Sequence, residues 1–200
     1  SKLKRTEAVR HNVQNGISFL EVQDGMLETA GRIVSRMAEL KGMATQDPMK
    51  SAQDVASYDN EFRDLQVQLH QISQQTFNGS SLFASHDEQG RLAVFGGSSQ
   101  DYTQDNTISI FTSSNGSAGT KISINKSMLL SALTINNNTL ASAQYDSSGN
   151  AAAVASNAAH TVAFASADTT TVLTLDQVSM GVLEQALSNV AYLRAKNGGG

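Results

Sequence analysis

Residues 51–76 read SAQDVASYDNEFRDLQVQLHQISQQT, and this stretch decides the fold. Its seam residues step alternately by three and four positions: Val55, Tyr58, Phe62, Leu65, Leu69, Ile72 and Thr76. Side chains at this spacing line one stripe of an α-helix and are typical of a coiled-coil seam. The pattern predicts a helix over about 51–75 with its core at Tyr58, Phe62, Leu65, Leu69 and Ile72. It also predicts that Gln66 and Gln68 tolerate truncation better than Phe62.

A longer helix is predicted over residues 1–45. Its stripe of seam and flanking positions is more irregular: Val13, Ile17, Leu20, Asp24, Leu27, Ala30, Gly31, Ile33, Val34, Met37, Leu40 and Ala44. A helix of this length spans roughly 65 Å, whereas a compact chain of this size has a radius of gyration of about 16 Å. The molecule is therefore a rod unless the helix breaks. Pro48 closes the first helix in a short turn, which makes the two helices antiparallel neighbours.

The helical spacing of apolar residues ends at Phe77-Asn78-Gly79. Short β-like runs follow at 91–95, 107–111 and 121–124, and the last two predict a hairpin around Ser114-Asn115-Gly116. Residues 141–171 are rich in Ala, Ser and Thr and predict a surface excursion. A last helix is predicted over 172–196, and its seam residues are Leu173, Met180, Leu183, Leu187 and Val190.

These elements define an α+β fold. We expect an elongated antiparallel helical bundle or coiled coil of two N-terminal helices and one C-terminal helix, carrying a β-hairpin-rich insert and a short variable region. The helices at both ends of the chain must pack together to bury their apolar seams.

Composition excludes several classes of function. The chain has 14 Lys and Arg against 18 Asp and Glu and no cysteine. The acidic balance argues against a general nucleic-acid binder, and the absence of cysteine removes disulfides, thiol nucleophiles and cysteine metal sites. No apolar run approaches the ~18 residues of a membrane helix. We expect the basic residues Lys2, Lys4, Arg5 and Arg10 to be a solvated helix face.

No catalytic constellation is visible. The four histidines do not pair at helical spacing, and no H-E-x-x-H or G-x-S-x-G motif occurs. Asp87-Glu88 has no third acid spaced to join it, and Gly96-Gly97 lacks the context of a phosphate loop. We expect His70 at the surface or at the core boundary. The sequence predicts no catalytic, cofactor-binding or metal site and no cofactor.

Several motifs in chain order resemble bacterial flagellin. Asn15–Leu20 (NGISFL), Asp24–Leu27 (DGML) and Ile33–Leu40 (IVSRMAEL) are similar to the family's N-D-G-I-S-L, E-G-A-L and L-Q-R-x-R-E-L at the same spacing. Further similar blocks are Ile72–Gly79, Asp105–Ile110 and Leu193–Ala195. Ala38 departs from the pattern, because the family usually has a second Arg there. The F-N-G block at 77–79 favours flagellin over the hook–filament junction proteins.

The resemblance implies a domain organisation. Residues 1–83, 104–137 and 172–200 correspond to the flagellin core rod domain, 84–103 to an inserted loop or strand, and 138–171 to a short variable surface region. It also implies that both terminal segments, which line the central channel of flagellin filaments, are missing from this sequence. Without them we expect an elongated monomer.

The resemblance further implies a non-catalytic structural subunit of the bacterial flagellar filament, secreted and extracellular, that self-assembles helically for motility. Its partners would be other flagellin subunits, with a filament cap protein and an export chaperone, and neither nucleic acid nor membrane. Three alternatives stay open: a hook–filament junction protein, a flagellin-like surface adhesion module, and a protease-bearing variant, against which the missing H-E-x-x-H and the short insert argue.

The resemblance also implies a patch read by the host flagellin-sensing Toll-like receptor. When the family's patch is aligned with this sequence, its centre falls on Arg36 and Leu40 of the first helix and Glu61 of the second. The patch would also meet a neighbouring subunit along the filament axis. The alternative is that Leu40 packs inward and Arg36 is ordinary surface.

Overall fold

The computed structural model describes residues 2–83, 107–111, 121–127, 129–135 and 172–197. The helices are α1 (Lys2–Gln46), α2 (Ala52–Ser73), α3 (Leu129–Ala132) and α4 (Met180–Lys196), with a 3-10 turn at Leu175–Gln177. The strands are β1 (Thr76–Phe77), β2 (Ser80–Ser81), β3 (Thr107–Phe111) and β4 (Lys121–Asn125). The predicted strand at 91–95, the loops at 87–88 and 96–97, and the segment 141–171 lie outside the described residues.

The two N-terminal helices form an antiparallel pair. The predicted helix over 1–45 corresponds to α1, which is continuous to Gln46 and ends before Pro48. Ser51 starts α2 through a capping box: the Asp54 amide donates to Ser51 Oγ at 3.0 Å, and the Ser51 amide donates to Asp54 Oδ2 at 3.0 Å. Reciprocal capping satisfies two helix-end donors, so a turn of a few residues reverses the chain.

The apolar core lies where α1 packs between α2 and α4. Its fully buried side chains include Leu27, Val34, Met37 and Leu40 of α1, Phe62 and Leu69 of α2, and Leu183 and Ala186 of α4. Leu65 and Ile72 are buried and Tyr58 is half-buried. The predicted stripe of α2 is therefore buried from Phe62 to Ile72, whereas Val55, its first residue, is 37% exposed.

The first part of the α1 seam does not follow the heptad prediction. Val13 and Ile17 are 37% and 53% exposed, whereas Phe19, which the seam left out, is fully buried. Phe19 meets the ring of Phe77 edge to face, with centroids 6.4 Å apart. Phe19 thus packs against the β1–β2 hairpin, and α1 also contacts β3. The buried face of α1 is therefore rotated away from the coiled-coil stripe at this end.

The C-terminal helix begins later than predicted. Residues 172–178 are buried at Val172, Leu173, Leu175 and Val178 but lie in an extended segment and the 3-10 turn. Ser179 then caps α4, with its Oγ accepting from the Val182 amide at 3.2 Å. Leu173 is consequently not a helix seam residue, because the Ser179 cap sets the start of the helix.

Two antiparallel hairpins complete the described structure. β3 and β4 pair with Ile108 opposite Ile124 and Ile110 opposite Ile122, at the predicted positions. The β1–β2 hairpin was not predicted: Asn78 and Gly79 form its two-residue turn with φ of 51° and 80°. Positive φ at both turn residues is typical of a type I′ turn and of Asn-Gly pairs.

Candidate assembly surface

A charged pair joins α1 to α2 at the surface. Arg36 Nε donates to Glu61 Oε2 at 2.6 Å and a second guanidinium nitrogen donates to Glu61 Oε1 at 3.0 Å. Arg36 also donates to Glu39 Oε2 at 2.9 Å. The side chains of Arg36 and Glu61 are about two-fifths exposed. Hydrogen bonding to Arg36 lowers the pKa of Glu61, and the two acids raise the pKa of Arg36, so this pair stays ionised.

A second charged cluster joins α1 to α4. Arg194 donates from Nε to Asp24 Oδ1 and from a terminal nitrogen to Asp24 Oδ2, both at 3.0 Å. Glu28 Oε2 lies 3.9 Å from the same guanidinium and also pairs with Arg32. Hydrogen bonding to Asp24 raises the pKa of Arg194. A charged residue, Asp24, can therefore occupy a seam position that is usually apolar, because Arg194 of α4 faces it.

The two clusters border one open cleft between α1 and α4. The cleft has a volume of about 470 Å³; its apolar floor includes Gly31, Leu187 and Val190 and its charged rim includes Arg32 and Glu39. An apolar floor with a polar rim is the usual composition of a protein–protein contact site. Arg32 is the most exposed member of the rim, with 76% of its side chain accessible.

A second cleft, of about 400 Å³, lies where the α1–α2 turn meets the 3-10 turn. Lys41 Nζ donates to the Leu175 carbonyl at 2.7 Å, and Asp59 Oδ1 accepts from the Leu175 amide at 3.0 Å. Beside it, Met49 is 86% exposed in the turn. This end of the helix pair therefore offers an apolar side chain next to a fixed polar frame.

Buried amide side chains attach non-helical segments to the helices. Gln66 Nε2 donates to the Leu173 carbonyl at 2.8 Å, and Gln66 Oε1 accepts from the Leu173 amide at 3.0 Å. Gln23 Nε2 donates to the Leu82 carbonyl at 2.7 Å, and Asn189 Nδ2 donates to the Ala132 carbonyl at 2.9 Å.

The structure separates Gln66 from Gln68, which the sequence analysis grouped together as more tolerant of truncation than Phe62. Gln66 is fully buried, whereas Gln68 is exposed. No sequence signal distinguishes them, because the partner of Gln66 is backbone 107 positions away.

The structure brings together two of the three residues of the predicted receptor patch. Arg36 and Glu61 form the pair described above, but Leu40 is fully buried. Leu40 lies four residues after Arg36 on α1. Its side chain points into the core because α2 and α4 cover α1 on two sides. Leu40 thus contributes packing and no exposed surface.

The described residues contain no group of three or more His, Asp or Glu side chains able to hold a metal ion. His70 is half-buried at the core boundary. In that same part of the chain, no helix combines the length and apolar character needed to cross a membrane.

The described elements form an elongated helix pair with a returning C-terminal helix and two hairpins. Residues 1–87 match the family model of the bacterial flagellin N-terminal helical region. The fold is similar to the crystal structure of Bacillus cereus flagellin, with a TM-score of 0.55 and 18% identity over 95% of this chain and 81% of that one. No curated protein sequence matches the chain.

The resemblance to bacterial flagellin, a family of structural proteins, is thereby confirmed. The family model covers α1, α2 and the β1–β2 hairpin, and the described part of α4 lies beyond it.

Proposed function

We propose that this protein is a structural subunit of the bacterial flagellar filament, secreted and assembled helically with other flagellin subunits for motility. The observation that carries the proposal is the flagellin-type rod, in which the 45-residue α1 is flanked by α2 and α4. A helix of this length offers a long lateral surface, and a filament is an open assembly in which one surface binds a different surface of the next copy.

The proposal assigns residues 1–83, 104–137 and 172–200 to the rod, with 84–103 and 138–171 as additions to it. The cleft between α1 and α4 is the proposed subunit contact, since its apolar floor is open and its rim carries both signs of charge. A filament cap protein and an export chaperone are proposed as further partners.

Complementation tests the proposal. Since we expect this sequence alone to be monomeric, it is joined to the terminal segments of the host's flagellin and expressed in a bacterium whose own flagellin gene is deleted. Filaments are counted by electron microscopy and swimming is scored. We expect filaments with the natural sequence and fewer or shorter ones with Arg32→Glu, because this change alters the exposed cleft rim. Gln68→Glu is the control, since Gln68 is exposed on α2 outside the cleft.

Secreted, folded protein without filaments would overturn the proposal and favour an adhesion module. Protein found only where hook meets filament would favour a junction protein. Equal filament yields with Arg32→Glu and Gln68→Glu would remove the cleft from the contact and leave the subunit role intact.

Recognition by a host Toll-like receptor is proposed only through Arg36 and Glu61, whose side chains remain accessible. Receptor binding of purified protein is compared with that of Arg36→Ala, with Arg32→Ala as the control on the same helix. Unchanged affinity of a folded Arg36→Ala variant would leave the pair with the single role of joining α1 to α2.

A further inference from the structure

The sequence contains four Asn-Gly pairs, and the pair in the β1–β2 turn lies in an environment unlike that of the pair inside α1. Asn78 and Gly79 are both exposed and both have positive φ. Asn15 and Gly16 lie inside the continuous helix α1, and Gly16 is buried. The two dipeptides have the same covalent chemistry, so any difference in their reactivity comes from the fold.

We propose that Asn78 is a modification site at which the chain deamidates spontaneously, in preference to Asn15. The Gly79 amide nitrogen attacks Cγ of Asn78, a nitrogen–carbon bond forms, and the side-chain nitrogen leaves as ammonia with the displaced proton. Water then opens the cyclic imide at either carbonyl, which yields aspartate or isoaspartate. Glycine permits the attack because it has no Cβ to crowd its nitrogen.

The position of the attacking amide nitrogen favours deamidation at Asn78 in the turn over deamidation at Asn15 in α1. The hairpin register pairs Thr76 with Ser81 and Phe77 with Ser80, so Gly79 lies outside the paired residues. In α1 the Gly16 amide belongs to the i→i−4 ladder, and releasing it requires the helix to open. Strands of only two residues make the hairpin open at lower free energy than a helix interior.

The product would change the contact between the hairpin and α1. Isoaspartate adds one backbone atom and a carboxylate to a turn that closes with two residues. Directly after β2, the Leu82 amide donates to the Gln75 carbonyl at 3.0 Å and the Leu82 carbonyl accepts from buried Gln23. On the other strand, Phe77 packs on Phe19. Deamidation therefore acts on the packing around Phe19 and Gln23.

Ageing of the folded protein tests the proposal. The chain is incubated at mildly alkaline pH, with and without urea, and each Asn-Gly peptide is quantified by mass spectrometry and by isoaspartyl methyltransferase labelling. In the folded protein we expect Asn78 to convert about tenfold faster than Asn15, because a helix interior opens more rarely. In urea the two rates should become similar.

Equal rates at Asn15 and Asn78 in the folded protein would overturn the proposal. So would an Asn78 that deamidates in the urea-unfolded chain but stays intact in the folded protein. Asn78→Gly is the matched variant, since Gly-Gly also suits a type I′ turn. We expect ageing to lower the melting temperature of the natural sequence and not that of Asn78→Gly. An equal decline in both would refute the consequence for packing.

Discussion

At the scale of single residues, a few buried polar side chains hold non-helical segments against the helices. Gln66 is fully buried because it bonds both the amide and the carbonyl of Leu173. The extended segment that leads into α4 is thereby held on α2, and the cost of burying the amide is offset by satisfied hydrogen bonds.

Gln66→Ala should lower the free energy of unfolding by about 1–3 kcal/mol, because it leaves two backbone groups of Leu173 without their partner. Urea denaturation measures the change. Gln68→Ala, at an exposed position of the same helix, should stay within about 0.5 kcal/mol of the natural sequence. Equal effects at the two positions would contradict the burial of Gln66.

The Arg36–Glu61 pair should make stability depend on acidic pH. Arg36 lowers the pKa of Glu61 in the folded protein. The pair therefore contributes fully above the pKa of an unfolded Glu and loses its contribution as pH falls through the folded pKa. Thermal melts of the natural sequence and of Glu61→Gln should differ at neutral pH and converge in acid. A difference that is constant over this range would show that the carboxylate is not stabilised by Arg36.

At the scale of elements, local signals decide where helices begin and tertiary contacts decide which face is buried. Ser51 and Ser179 cap α2 and α4 through their own hydroxyl groups. The exposed Val13 and Ile17 and the buried Phe19, which packs on Phe77 of the β1–β2 hairpin, show that the buried face of α1 changes along its length.

Ser51→Ala should destabilise the protein by about 1 kcal/mol, because the capping box loses the hydroxyl that accepts from the Asp54 amide. Chemical denaturation followed by circular dichroism measures this. Ser57→Ala, at an exposed position inside α2, is the control and should be neutral or slightly stabilising. A loss at Ser57 as large as at Ser51 would argue against the cap.

At the scale of the whole molecule, the continuous α1 sets the dimensions. Its 45 residues span roughly 65 Å, which exceeds the width of a compact chain of this size. Packing of α2 and α4 on either side of α1 stiffens the rod, and the charged clusters at Arg36 and Arg194 fix the three helices to one another.

Small-angle X-ray scattering of the purified protein should give a radius of gyration clearly above the about 16 Å of a compact domain of this length. The pair-distance distribution should extend to at least the roughly 65 Å of α1. A symmetric distribution that ends well short of that length would mean that α1 is broken in solution.

The sequence alone was enough to predict the long first helix, the α2 helix with its Phe62 and Leu69 core, the β3–β4 hairpin and the resemblance to flagellin. These features depend on periodicity, turn residues and motifs, which act over a few neighbouring positions. Only the tertiary structure decided that Leu40 is buried, that Gln66 binds Leu173 and that Asp24 faces Arg194. Those outcomes depend on residues up to 170 positions apart, and local spacing carries no information about which segment will cover a given helix face.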